Sequence, residues 1–231
     1  MEKKISQCSS CYIKYEKKRC IEQEGKGPEF CPTIVKKDII KKAKLEYNKP
    51  EIRHFAQIAS IQEGEGYDNR GQEYSSVRPI KSRIVEIIEF AQRMKFTRLG
   101  LAFCVGFRHE AKITAKILEK QGFEVVSIVC KVGCDDKENI GIQKNQKINM
   151  GDFESMCNPI AQAEILNEAK TDFNIMLGLC VGHDSLFIRY SKAPVTVFAV
   201  KDRLLGHNPL AAIYNNDSYY AWLLKDELEK K

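Results

Sequence analysis

No stretch of this 231-residue chain is apolar over the roughly 18 residues that a membrane span requires. Neither G-x-G-x-x-G nor G-x-x-x-x-G-K-[ST] occurs, so a dinucleotide site or a Walker-type NTP site has no support. There is also no G-x-S-x-G elbow and no H-E-x-x-H helix. Histidine is scarce at four residues and tryptophan occurs once, so Trp222 is read simply as a packing residue. The opening Met1-Glu2-Lys3-Lys4-Ile5-Ser6 leads into cysteines instead of an apolar core, which reads as no signal peptide. The expected location is therefore cytoplasmic, with no membrane association and with thiols kept reduced.

Cysteine, by contrast, is abundant. Nine in a reduced compartment is a high count, and an odd number suits a disulfide framework poorly, so metal or redox chemistry is the better reading. The formal charge of +6 comes from lysines interleaved with acids along the whole chain. That pattern argues against nucleic acid as a partner. A hydrophobic content of 43% is enough for a real core.

Three regions follow from the patterning. Residues 1–32 carry Cys8, Cys11, Cys20 and Cys31 with almost no apolar periodicity, so a metal must order them. Residues 33–79 read as a helical linker, with a second short helix from Pro50, followed by a polar, glycine-rich surface loop over 63–79. Residues 80–231 alternate helices with strands at 98–104, 123–130, 173–180 and 195–200, and a terminal helix is read at 219–228. This predicts an α/β fold, a Rossmann-like doubly wound parallel sheet of at least four strands covered on both faces.

Within that domain Leu99-Gly100-Leu101-Ala102-Phe103-Cys104-Val105-Gly106 is echoed 76 residues later by Ile175-Met176-Leu177-Gly178-Leu179-Cys180-Val181-Gly182. The echo predicts a duplicated strand, Cys-Val-Gly turn and helix, with both thiols at one sheet edge.

The N-terminal set has the form C-x2-C-x8-C-x10-C-P. Four thiolates so spaced suit tetrahedral zinc or a [4Fe–4S] cluster, and a Pro directly after the last Cys is a feature of ferredoxin-type runs. Cys104 and Cys180 should lie at strand ends and helix starts, where ligands of open α/β sheets bind and thiolates are favoured. Cys157, before the helix start Asn158-Pro159, could reach the same crevice. Three such thiolates would suit a [4Fe–4S] cluster with one open iron, while Gly106 and Gly182 would give a ligand room. His183 could move a proton, with Asp184 orienting it and Cys180 beside them. Cys130 could join the site, whereas Cys134 reads as incidental. His109 and His207 read as ordinary surface or core histidines, and Lys201, Asp202 and Arg203 could bind an anionic substrate.

With these blocks laid out, the chain resembles a prokaryotic family known as domain of unknown function 1847, described as metal-binding proteins. The resemblance rests on Phe30-Cys31-Pro32-Thr33, the 101–106 block and Met156-Cys157-Asn158-Pro159-Ile160-Ala161-Gln162-Ala163. Gly178-Leu179-Cys180-Val181-Gly182-His183-Asp184-Ser185 and Lys201-Asp202-Arg203-Leu204-Leu205-Gly206-His207-Asn208-Pro209 extend it. The x8 gap before Cys20 is longer than in the family. The resemblance implies metal binding and an anaerobic host, and it supplies no reaction.

The expected function is therefore an iron–sulfur protein, with one or two [4Fe–4S] clusters and redox or sulfur-related chemistry at a Cys104/Cys157/Cys180 site. A small-molecule substrate and an electron-transfer partner are its expected partners. The alternative is a non-catalytic, zinc-stabilised binding or sensor protein with a pocket at the sheet edge. A metal-free thiol enzyme using Cys104 or Cys180 is a third reading.

Overall fold

Apolar runs alternating with amphipathic stretches require two helical layers around a sheet, and the structure takes that form. The computed structural model describes residues 5–225. It divides into two units, Met1–Glu65 and Gly66–Lys231. The helices read between 33 and 60 therefore belong with the Cys-rich segment, and the second unit begins ahead of residue 80.

In the first unit, 3-10 turns at Cys8–Ser10 and Tyr15–Lys17 precede α1 (Pro32–Val35), α2 (Lys37–Glu46) and α3 (Pro50–Glu65). Pro32 and Pro50 each open a helix, where a missing N–H is no loss. The helix from Pro50 is not short. It runs 16 residues and takes in Glu63-Gly64-Glu65, which had read as the start of a loop.

In the second unit, β1 (Tyr67–Asp68) pairs antiparallel with β2 (Arg78–Pro79), so the glycine-rich span is a small ribbon around its loop. Then come α4 (Arg83–Arg93), β3 (Arg98–Phe103), α5 (Arg108–Lys120), β4 (Glu124–Val129) and, after a polar excursion, α6 (Pro159–Glu168). β5 (Phe173–Leu177), α7 (His183–Tyr190), β6 (Val195–Ala199) and α8 (Leu210–Tyr214) complete it. Of the terminal helix, the described residues show only a 3-10 turn, Ala221–Leu224, and the rest lies outside them.

The main sheet is wholly parallel, in the order β4-β3-β5-β6. The chain leaves β3 towards β4, returns past β3 to β5, and continues outward to β6. The direction thus reverses between β3 and β5, which makes their C-terminal ends the switch point of the sheet. Right-handed crossovers put α5 on one face and α6 and α7 on the other, and α6 packs against α7. The helix α4 adds Phe90, whose ring lies 5.4 Å from that of Phe173.

Every residue of β5 is buried, because helices cover both faces, so it reads as a continuous apolar run and not as an alternation. Asn174 interrupts that run and is fully satisfied. It accepts from Thr171 Oγ1 at 2.8 Å and donates to Ser191 Oγ at 2.6 Å. Gly100 is its register partner on β3. A Cβ on Gly100 would stand 2.0 Å from Asn174 Oδ1, so only glycine fits there.

Gly100→Ala should therefore destabilise the fold by about 1–3 kcal/mol, the usual cost of overpacking a core. Urea unfolding would show it as a lower midpoint at unchanged m-value. An unchanged midpoint would mean that the Asn174 amide has somewhere else to go.

Candidate metal centre at the carboxyl edge of the sheet

Cys104 and Cys130 each directly follow a strand and continue its ladder by one rung. The Cys104 N–H donates to Leu177 O at 3.1 Å, and the Cys130 N–H to Phe103 O at 2.8 Å. Cys157 arrives from the other side, at the end of the excursion over residues 131–156. The next residue, Asn158, caps α6 by accepting the Ala161 N–H at 2.9 Å. Its own N–H donates to Cys130 O at 2.7 Å, which fixes Cys157 beside the end of β4. Gln162, fully buried one turn later, donates Nε2 to Phe103 O at 3.2 Å and Ile128 O at 2.7 Å, clamping α6 to the same two strands.

The outcome is a row of three thiols. Cys157 Sγ lies 3.7 Å from Cys130 Sγ, and Cys130 hydrogen-bonds Cys104 on its other side. Cys104 and Cys157, both singled out in the sequence, are thus joined through Cys130. The thiol that stands between them is Cys130.

The excursion has no apolar periodicity because ions organise it. Lys147, with a side chain only 1% exposed, meets Asp136 Oδ1 at 2.9 Å and Glu138 Oε1 at 2.7 Å, and donates to Asp152 O at 2.9 Å. Lys137 pairs with Glu154 at 2.5 Å, and Glu154 also accepts the amides of Ile148 and Asn149. Those contacts hold the Glu154 carboxyl down at about 2. At the neck, the Met156 N–H donates to Asp135 O at 2.7 Å and the Lys137 N–H to Glu154 O at 3.1 Å.

The electrostatics favour thiolates at both ends of the row. The Cys104 thiol is lowered from 9.0 to about 5, chiefly by its hydrogen bond from Cys130, and burial opposes this. The Gly106 amide and the Lys201 ammonium also lower it. Cys157 is lowered to about 6, again chiefly by Cys130, with Lys131 and His183 helping and burial opposing. Cys130 is pushed up instead, because both neighbours draw on its proton. It is also the most buried of the three. Two thiols lowered beside a third that is raised favour thiolate character, and thiolates are the form that binds a thiophilic cation.

The segment 201–209 folds on itself and delivers two cations. Asp202 Oδ1 accepts the amides of Leu204 and Leu205, and the Asp202 N–H donates to His207 Nδ1 at 3.1 Å. His207, at a φ of +69°, packs its ring 4.3 Å from that of Phe107. Lys201 Nζ sits 4.7 Å above the same Phe107 ring and next to Cys104. A Cβ on Gly106 would fall 2.6 Å from Lys201 Nζ, so the missing side chain leaves space that this ammonium enters. Gly182 does border open space, and its φ of +86° is what the turn into α7 requires.

Cys180 is placed differently from Cys104. The register sets Phe103 opposite Leu177, so Cys104 lines up with Gly178, and Cys180 comes two residues later. Gly178 turns the chain at a φ of +67° with the Phe107 ring filling the space of its missing side chain. The Cys-Val-Gly echo therefore does not occupy equivalent positions in the sheet. The Cys180 sulfur accepts from the Arg203 guanidinium at 3.0 Å.

His183 starts α7, and its ring lies close enough to Cys157 to lower that thiol. Its Nδ1 is buried and, among the described residues, has no hydrogen-bond partner. Asp184 does not orient it, because Asp184 Oδ1 accepts the amides of Gly182 at 2.9 Å and Ser185 at 2.7 Å, closing the turn. His109 and Cys134 are exposed.

In the first unit, the Cys11 N–H donates to Cys8 O at 3.2 Å, so the C-x2-C pair is folded into one turn. Cys20 follows the Lys18–Lys26 bridge, and Cys31 follows a turn at Pro28. A Cβ on Gly27 would lie 2.8 Å from Cys31 Sγ. Cys8 and Cys20 are exposed, while Cys11 and Cys31 are half-buried. Among the described residues no three His, Cys, Asp or Glu side chains are drawn together as around a single ion. Nor is any helix among them long and apolar enough to cross a membrane.

A four-stranded parallel α/β protein with thiols at its strand ends is the class these features define. The chain belongs to the family described as Protein of unknown function (DUF1847), whose model matches residues 31–198. The match takes in β3, β4 and β5, all but the last residue of β6, and the three clustered thiols. Uncharacterized protein MJ0455 of Methanocaldococcus jannaschii is 50% identical over 196 residues, 85% of this chain and 91% of that one. Among solved structures, Dph2 of Pyrococcus horikoshii, one crystal form of which is described with a 4Fe–4S cluster, is 19% identical with a TM-score of 0.27. That match covers 43% of this chain and 23% of Dph2. A likeness of that size shows neither a shared fold nor a shared function.

The thiol row sets a pH dependence in metal-free, reduced protein. Cys104 and Cys157 lie below the ordinary 9.0, so the unfolded chain binds more protons than the folded one between about pH 6 and that value. Their contribution to stability therefore rises with pH across that window and is lost as pH falls through about 6 and then 5. Cys130, raised, works the opposite way above the ordinary value. Urea unfolding at about pH 6 and about pH 8.5, with chelator and reductant, should show wild type gaining on a C104S/C130S/C157S variant. A constant or shrinking gap would mean that the native thiols are not ionised.

Proposed function

We propose that this chain holds a thiolate-bound metal centre, an iron–sulfur cluster in the first place, on Cys104, Cys130 and Cys157. The reading is carried by the shared position of Cys130, whose sulfur is 3.7 Å from one low-pKa thiol and hydrogen-bonded to another. The donor chemistry supports such a group, since soft sulfurs that release protons readily stand at the sheet's switch point, and binding would draw the three closer, because among the described residues no such trio already surrounds a single ion. A cluster held by three thiolates supplies one-electron transfer and an open, Lewis-acidic iron suited to a sulfur-containing ligand.

The surrounding residues have definite tasks in redox or sulfur-related chemistry on a small molecule. Lys201 adds to the lowering of the Cys104 thiol, which Cys130 chiefly causes, and would offset charge on the row. The Val105 N–H donates to Cys130 Sγ at 3.3 Å, and the Gly106 N–H to Cys104, which tunes the sulfurs as donors. The unpartnered Nδ1 of His183 is free to take or give a proton beside Cys157. Arg203 restrains Cys180 at the margin of the site. Cys8, Cys11, Cys20 and Cys31 would form a second, separate metal site that relays electrons from a partner or staples the first unit. Reduced thiols throughout suit a cytoplasmic setting.

A second reading has one observation in its favour. Two thiolates on a single tetrahedral zinc, with Zn–S of about 2.3 Å, stand about 3.8 Å apart, and Cys130 and Cys157 are 3.7 Å apart. On this reading the centre stabilises a binding or sensor protein and catalyses nothing.

Anaerobic purification followed by iron, acid-labile sulfide and zinc analysis decides between them. Three or more irons with matching sulfide is the expected result, with one cluster's worth lost in Cys130→Ser and Cys8→Ser/Cys11→Ser losing only what the separate N-terminal site holds. Fewer than about three irons per chain rules out even one [4Fe–4S] cluster. One zinc without iron, again lost in Cys130→Ser, would install the second reading.

A further inference from the structure

The two ends of the excursion bring Cys130 and Cys157 together by means that need no metal. The Asn158 N–H bonds Cys130 O, and the Met156 N–H bonds Asp135 O, both at 2.7 Å. Asp136 and Ser155 form an antiparallel bridge, and Lys131 Nζ reaches Ser155 O. Beyond this neck, the Lys147 and Lys137 ion pairs keep the excursion folded. The sulfurs are thus held 3.7 Å apart by protein alone. Closing to a disulfide of about 2.05 Å asks for less than 2 Å of movement, within reach of side-chain rotation. The two thiols also differ in access, since Cys157 is half-exposed and Cys130 is buried behind it.

We infer that Cys130 and Cys157 form a reversible oxidation site, closing an intramolecular disulfide when a peroxide reaches the exposed member. The Cys157 sulfur attacks one peroxide oxygen, the O–O bond breaks, and with the thiol proton a sulfenic acid and one water result. The Cys130 sulfur then attacks the sulfenic sulfur, an S–S bond forms and the S–O bond breaks. The departing hydroxide takes the Cys130 proton as a second water. Two thiols and one hydrogen peroxide become one disulfide and two waters, and a dithiol reductant returns the two electrons. Cys130 stands next to Cys157 as the resolving thiol that would keep the sulfenic acid from over-oxidation. Where the metal centre proposed above is present, the same closure removes two of its three ligands at once. That last consequence alone rests on the metal reading.

The full-length chain, stripped of metal with a chelator and reduced, would be treated with stoichiometric hydrogen peroxide and mapped by peptide mass spectrometry without reduction. The expected product is a peptide pair joined through Cys130 and Cys157, with Cys104, Cys134 and Cys180 still alkylatable, reversed by dithiothreitol. Cys134→Ser, at an exposed thiol outside the row, should leave this product unchanged. Cys130→Ser should instead leave Cys157 trapped as a sulfenic acid, detectable with dimedone. A dominant link between Cys104 and Cys130, or a wild-type Cys157 that proceeds to sulfinic acid while Cys130 stays free, would overturn the inference. Repeating the treatment on chain as isolated anaerobically separates the two ideas. Metal released in step with the same disulfide supports both, whereas the disulfide in a chain that never bound metal supports this one and removes the other.

Discussion

One backbone hydrogen bond, from the Asn158 amide to the Cys130 carbonyl, ties the polar excursion to the sheet. It makes the end of β4 and the start of α6 neighbours, although 27 residues separate their thiols in the chain. It acts directly beside Cys157, while the Met156–Asp135 bond and the Asp136–Ser155 bridge close the neck a few residues further out. Gln162 reinforces the same junction from within α6 by holding the last carbonyls of β3 and β4 together. A parallel sheet can bring strand ends side by side, but only this junction carries a third thiol to them.

The fold was legible because its cause is local. Apolar runs at 98–104, 123–130, 173–180 and 195–200 became four parallel strands, since β-branched and apolar residues covered on both faces need no alternation. The site was legible only in part. Cys104 and Cys157 stood out as residues at element ends, which is a property of sequence. Cys130 stands at such an end too, but its importance depends on β4 lying next to β3, which strand order alone reveals. The Cys-Val-Gly echo drew attention to Cys180 instead. The echo is real in sequence, yet Gly178 bends the chain early around Phe107 and shifts Cys180 two residues out of register. Gly106 read as an open position, and the neighbour in that space is Lys201, a residue nearly a hundred positions distant that no local pattern could announce. The polar excursion offered no periodic signal at all, because ion pairs fold it and ion pairs have no period.

The segment after β6 gives the molecule its means of controlling charge. A self-bonded turn at Asp202 and His207 sets Lys201 over Phe107 and directs Arg203 to Cys180. Each cation meets a different sulfur, Lys201 favouring the Cys104 thiolate and Arg203 donating to Cys180, from one short piece of chain. Phe107 is the common floor. It touches the Lys201 ammonium and the His207 ring, and it fills the space beside Gly178.

The ionic folding of the excursion also sets where the molecule opens. A loop held by Lys147, Lys137 and their carboxylates draws little on the hydrophobic core, so it belongs to the low-stability end of the molecule, where segments open without global unfolding. Since Cys157 sits at the root of that loop, its opening would draw this one sulfur away from the other two while the sheet stays intact. Because Lys147 is almost fully enclosed, salt would screen these pairs little, and acid that protonates their carboxylates is the condition that would loosen the loop.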